Sequence, residues 1–222
     1  MSKELDRIAS RIPCLDTDNI AATLISSAGY HCHVWQSIGL LRNSTGRTAL
    51  NFVIKVYRGP CSFRETRIYQ RQYTLLKTAL GDIVPQALFI VAEVDGQTSV
   101  VVFAEAVSPW FNLANPANEE EAVPLLRKLP KARMQLQRFV TAARGWQQAV
   151  DTPGNEKVID LYGYDNLVLD RNYSVRFIDS FEVFFLPDLL FILDQPDPLL
   201  AQRIDIARQR LDYLGHLIQQ SS

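Results

Sequence analysis

The stretch from Val158 to Glu182 constrains the fold more than any other part of the chain. It reads as a polar loop, a short apolar strand, a turn, a second apolar strand and an acid. Leu167, Val168 and Leu169 form the first strand; Val175, Phe177 and Ile178 form the second. Asp170, Arg171 and Asn172 between them are turn residues. A hairpin brings its open ends together. Asn166, entering the first strand, is therefore expected beside Asp179, leaving the second. Two oxygen-bearing side chains meeting at one end of a hairpin can hold a hard cation such as Mg²⁺, usually with help from substrate phosphates.

Upstream, Trp35 to Gly59 reads as two or three antiparallel strands with a turn at Asn43–Gly46. Phe52–Tyr57 is the strongest of them by β-branched and aromatic content. Lys55 stands inside it and has two explanations. It points outward to solvent, or it points into a cleft where its ammonium meets phosphate oxygens. Ser62 to Leu80 is a helix with Phe63, Ile68, Leu75 and Leu76 as its apolar face. Ser62 and Glu65 make a capping box. Gly81-Asp82 ends the helix, and Val84-Pro85 opens an extended segment. Ala87–Ala92 and Thr98–Phe103 form a hairpin across Asp95-Gly96. Glu105-Ala106-Val107 leaves the sheet, and Ser108-Pro109-Trp110 breaks it.

The second half reads as mainly helical. Asn112 to Glu121 is a polar crossing with Pro116, a candidate boundary. Lys131 to Ala149 is the best amphipathic helix, with Leu136, Phe139, Val140, Ala143 and Trp146 inward. Thr152–Asn155 closes it. Leu189–Leu193 is too short to span a membrane and reads as core. After Asp197-Pro198, a last helix carries Leu200, Ile204, Ala207, Leu211, Leu214 and Ile218 at spacings of three and four. At the N-terminus, residues 3–28 read as one or two short helices. Ile8 and Ile12 lie on the first; the second is capped by Asp16-Thr17-Asp18 and carries Ile20 and Leu24. In His31-Cys32-His33 the two histidines would share one strand face, but zinc needs three or four ligands and no second Cys/His cluster exists in the sequence, so a strand start is the plainer reading.

The segment Asp160, Asn166, Asp179-Ser180-Phe181-Glu182 resembles the catalytic and metal-binding segments of the protein-kinase-like superfamily. Aminoglycoside and choline kinases and small bacterial lipopolysaccharide-type or PhoP-regulatory-network-like proteins belong to that group. The thirteen positions from Asn166 to Asp179 match the family's hairpin. The six from Asp160 to Asn166 exceed its usual loop by one, and a gap-free reading puts Leu161 at the catalytic position. Val53-Ile54-Lys55 looks like the family's Val-Ala-Ile-Lys strand. Gly39 and Gly46 do not make its glycine-rich loop.

The resemblance implies an α+β, two-lobed fold. Residues 1–30 would be a helical extension, 31–107 an antiparallel-sheet N-lobe with one helix, and 108–222 a mainly helical C-lobe. It implies ATP and Mg²⁺ as cofactors. Lys55 would hold the α/β-phosphates, Asn166 and Asp179 the metal, and Asp160 the acceptor hydroxyl. Gln72 occupies the register of the family's lysine-pairing Glu, with Glu65 seven residues earlier as the alternative partner. Glu105 and Val107 fall in the hinge whose backbone receives adenine.

Two functions follow: a phosphotransferase acting on a hydroxyl acceptor (a small molecule, glycan, lipid or protein), or a pseudokinase that keeps the fold as a partner-binding module. The 43 residues after Asp179 hold no Ala-Pro-Glu element, which argues against a Ser/Thr/Tyr protein kinase. With 23 Lys and Arg against 24 Asp and Glu, the net charge of −1 supplies no global pull toward nucleic acid. Three cysteines without a secretory signal point to a reducing cytoplasm.

Overall fold

The β-branched run around Lys55 belongs to a hairpin of two long strands, β2 (Cys32–Asn43) and β3 (Gly46–Tyr57). This is seen in a computed structural model, which describes residues 12, 22–27, 31–43, 46–148, 156–195 and 197–222. The chain is α+β, its sheets antiparallel, and it divides into two compact units. Residues 1–71 and 85–106 form the first; residues 72–84 and 107–222 form the second.

The first unit is a five-stranded sheet. An additional strand, β1 (Ala22–Ser26), pairs with β2, placing Leu24 opposite Trp35. This corrects the helix expected to carry Leu24. The β-branched Thr23 and Ile25 suit a strand once β2 offers a ladder. The remainder of the expected N-terminal helices lies outside the described residues, apart from Ile12. Ile12 is buried with Trp35, Ile54, Val56 and Val101 on one sheet face. The strands β4 (Ala87–Val94) and β5 (Gln97–Glu105) complete the sheet in the order β1-β2-β3-β5-β4. Their turn is Asp95-Gly96 with φ of 51° and 83°. Both values are left-handed, the geometry that matches strand twist in a two-residue hairpin loop.

Helix α1 (Phe63–Leu80) begins on the capping box. Ser62 Oγ accepts from the Glu65 amide at 3.2 Å, and a Glu65 carboxylate oxygen accepts from the Ser62 amide at 2.7 Å. The buried stripe is Thr66, Tyr69, Leu76 and Leu80, with Tyr73 packed beside it. That corrects the apolar face expected from sequence: Phe63, Ile68 and Leu75 are exposed. The true stripe has regular spacings of three and four but hides its apolar character behind Thr and Tyr. Gly81, at φ 60°, ends the helix in the left-handed conformation.

In the second unit, β6 (Pro109–Asn112) is an edge strand on β8 (Leu167–Asp170), which pairs with β9 (Val175–Phe177). Pro109 thus breaks one sheet and starts another; proline is tolerated at the first residue of an edge strand. The polar crossing after it is shorter than expected, because α2 (Glu119–Lys128) begins within it. Pro124 masks that helix in the sequence, while three glutamates in its first turn favour it. Helix α3 (Pro130–Gln147) buries Leu136, Phe139, Val140 and Ala143; Ala149 and Thr152–Asn155 fall outside the described residues. A two-stranded ladder joins β7 (Val158–Ile159) to β10 (Phe184–Phe185), and Trp146 packs edge-on against Phe184 at 5.0 Å.

The core of this unit gathers α3, the hairpin β8–β9 and the last helix. Phe139 meets Phe177 with ring centroids 5.9 Å apart. The short helix α4 (Leu189–Ile192) corrects another expectation: Phe191 is 86% exposed and Ile192 70%. A single turn can bury only one side, and Leu190 takes it. The last helix, α5 (Leu200–Gln220), buries Ile204, Ala207, Leu211, Leu214 and Ile218 as the periodicity predicts. No helix among the described residues is long and apolar enough to cross a membrane.

Candidate active site

The ends of β8 and β9 bring Asn166 and Asp179 together. Leu167 pairs with Phe177, so the residues flanking that pair meet at the open end of the hairpin. Asn166 Nδ2 donates to an Asp179 carboxylate oxygen at 3.4 Å, and the Ile178 amide donates to the Asn166 carbonyl at 2.9 Å. The other Asp179 oxygen accepts from the amides of Ser180, at 2.6 Å, and Phe181, at 3.3 Å. The carboxylate is therefore aimed before any ligand arrives.

Asp160 joins this pair through the backbone. Its carbonyl accepts from the same Asn166 Nδ2 at 3.2 Å. Its amide donates to the Val183 carbonyl at 2.9 Å, tying it to the segment after Asp179. One carboxylate oxygen accepts from the Tyr162 amide at 2.8 Å. Burial raises the Asp160 carboxyl from 3.8 to about 7, and the neighbouring Asp179 charge adds to the rise. The amides of Tyr162 and Gly163, and Arg203, oppose it. A carboxyl poised near neutrality suits proton transfer. Leu161, the gap-free alternative, is fully buried in the apolar core and carries no such chemistry.

Gly163 was not singled out from sequence, yet it shapes the site. A Cβ built there would lie 3.1 Å from Asn166 Oδ1 and 3.0 Å from an Asp165 carboxylate oxygen. Glycine leaves the Asn166 oxygen uncovered while its amide nitrogen is committed to Asp160 and Asp179. One amide oxygen and the Asp179 carboxylate are hard oxygen donors, the set Mg²⁺ takes when phosphates and water complete its shell. Among the described residues no cluster of three His, Cys, Asp or Glu offers an all-protein metal cage, and this holds for His31 and His33 as well.

Two arginines of α5 hold the Asp160 loop, and no motif announced them. Arg210 Nη1 donates to the Leu161 carbonyl at 2.6 Å and also to the Tyr162 carbonyl. The Arg210 guanidinium lies 5.7 Å from the Tyr164 ring centroid; that of Arg203 lies 5.7 Å from the Tyr162 ring. Arg210 is a positioning residue for the loop. Arg210→Gln is expected to lose about 2 kcal/mol of local restraint, roughly thirtyfold in opening of residues 160–166. Hydrogen exchange would show faster Tyr162 and Asn166 amides with those of α3 unchanged; uniform acceleration everywhere would mean the arginine acts only on global stability.

The remaining residues singled out from sequence lie on other elements. Lys55, in the first unit, is 8% exposed, which excludes the solvent-facing explanation. It sits opposite Val34 and Val102 in register. It shares a sheet face with Tyr57, whose hydroxyl lies 3.4 Å from that of Tyr69 in α1. One Glu65 carboxylate oxygen closes the Ser62 cap, whose hydrogen bonds hold the carboxyl below the usual range. Gln72 belongs to the second unit and is half-buried on α1; its Oε1 is buried without a hydrogen-bond partner. Glu105 pairs with Gln86, its amide donating to the Gln86 carbonyl at 2.8 Å and its carboxylate accepting from the Gln86 amide at 3.3 Å. Val107 is where the chain re-enters the second unit. No protein-family model matches the chain, and no curated protein sequence matches it.

Proposed function

We propose that the chain is a kinase-like, ATP- and Mg²⁺-dependent phosphotransferase with a two-lobed arrangement. In this reading Asn166 and Asp179 hold the metal and Lys55 holds the α/β-phosphates. Asp160 takes the proton of the acceptor hydroxyl, and the residues around Glu105 and Val107 receive the base. Bound Mg²⁺ supplies charge neutralisation on the phosphates; the chain supplies positioning, which is most of what phosphoryl transfer needs. The observation that carries the reading is the Asn166 amide shared between Asp160 and Asp179, with Asn166 Oδ1 left open by Gly163. The buried, unpartnered oxygen of Gln72 suits a cation close to α1.

A second reading, a pseudokinase that binds without turnover, is favoured by one observation. Gln72 is an amide where the family has a carboxylate, so it can accept from an ammonium but cannot neutralise it. Thermal unfolding separates these from a fold with no nucleotide role. ATP with Mg²⁺ at a hundredfold excess over its dissociation constant adds about 2.7 kcal/mol to the native state. The expected result is a midpoint raised by several degrees with both and by less with either alone. An unchanged midpoint with ATP, Mg²⁺ and their mixture would end both nucleotide readings.

A further inference from the structure

The solvent face of α1 is chemically one-sided. Arg64, Arg67 and Arg71, three and four apart, share it and are all exposed. Beside them stand Ile68 and Leu75, 51% and 38% exposed, with Phe63, 61% exposed, at the start of the helix. The Arg67 guanidinium lies 5.8 Å from the Phe63 ring centroid. No carboxylate occupies this face. The helix has one acid, Glu65, and that side chain is tied to the Ser62 cap. None of the three arginines is in an ion pair among the described residues. The chain as a whole is nearly neutral, so this is a local charge set against a balanced background.

We infer that the outer face of α1 docks on an anionic lipid surface. A row of arginines alongside a row of large apolar side chains asks for two things at once, phosphate oxygens and hydrocarbon. A bilayer interface offers both at every point and needs no positional matching. Long arginine side chains keep their guanidinium at headgroup level while neighbouring apolar groups enter the acyl boundary. A nucleic acid backbone would satisfy the arginines and leave Ile68 and Leu75 without an apolar partner. The docking is peripheral and reversible, and it does not depend on phosphotransfer.

The test is flotation of the full chain with phosphatidylcholine vesicles, with and without a fraction of phosphatidylglycerol. Wild type is expected to bind the anionic vesicles, to bind neutral ones far less, and to release as salt is raised. Each arginine removed costs about fivefold in partitioning, so Arg64→Gln with Arg67→Gln and Arg71→Gln together lower it about a hundredfold. Ile68→Ser with Leu75→Ser weakens binding at every salt concentration. All these positions are exposed, and unchanged circular dichroism and melting confirm that each variant folds. Equal binding by wild type and the arginine variant overturns the inference. So does no vesicle binding combined with arginine-dependent retention on polyglutamate or on duplex DNA, which would assign the face to an acidic protein or a nucleic acid.

Discussion

Asp179→Ala is expected to lower Mg²⁺-dependent ATP turnover by about a thousandfold or more, the scale at which preorganised charge stabilisation acts in transfer reactions. The side chain makes three hydrogen bonds, from Asn166, Ser180 and Phe181. Removing it leaves those donors unpaired, so some loss of stability accompanies the loss of turnover. Asp179→Asn separates the two effects. It keeps the shape, so the fold survives, but lacks the negative charge a divalent cation requires. The expected pattern is a near-native melting point for Asp179→Asn, turnover as low as in Asp179→Ala, and no Mg²⁺-dependent thermal shift in either. ATP consumption equal in wild type and both variants would remove the phosphotransferase reading. A nucleotide shift retained in wild type alone would leave the binding module standing.

The second large effect is on stability. The Asp160 carboxyl is raised by burial, then by Asp179, to about 7 in the folded chain from 3.8. The folded state therefore holds a proton that the unfolded chain releases near pH 4. Between about pH 4 and pH 7 the native state binds more protons, so stability falls as pH rises through that window. At 1.36 kcal/mol per pH unit, the loss approaches about 4 kcal/mol by pH 7 and is complete above it. In metal-free buffer the urea midpoint of the second unit is expected to drop from pH 5 to pH 8. Asp160→Asn should flatten that slope and be more stable than wild type at pH 8, because its amide oxygen still accepts from Tyr162 without a buried charge. Identical slopes in the two proteins would show that other groups set the acid dependence. Greater stability in the variant would also mark Asp160 as a residue kept at a cost, a common property of functional sites.

Much of the site was readable because it is local. Asn166 and Asp179 lie thirteen positions apart across a hairpin whose turn residues and apolar strands are adjacent in the chain. Strand pairing then leaves the two side chains no other place to be. Lys55 showed the opposite behaviour. A lysine in an apolar strand is compatible with either sheet face, and only the burial of the β3 residues around it decided between them. Arg210 and Arg203 were invisible, since they act on the Asp160 loop from a helix far along the chain and carry no motif.

The helix α1 divides the two kinds of information most sharply. Its existence, its Ser62–Glu65 cap and its glycine stop were all legible, because caps and stops are contacts between near neighbours in sequence. Its orientation was not. Thr66, Tyr69 and Tyr73 point inward while Phe63, Ile68 and Leu75 point outward, against their hydrophobicity. The amino-acid sequence by itself determined the strands β3, β4, β5, β8 and β9, the helices α1, α3 and α5, and the pairing of Asn166 with Asp179, since short-range hydrogen bonding and side-chain periodicity set them. Tertiary structure alone decided that Ala22–Ser26 is a strand, which face of α1 is buried, and that two distant arginines brace the Asp160 loop. The physical reason is that burial is shared between segments: a side chain's environment is set by the neighbour that covers it, and that neighbour is not encoded nearby.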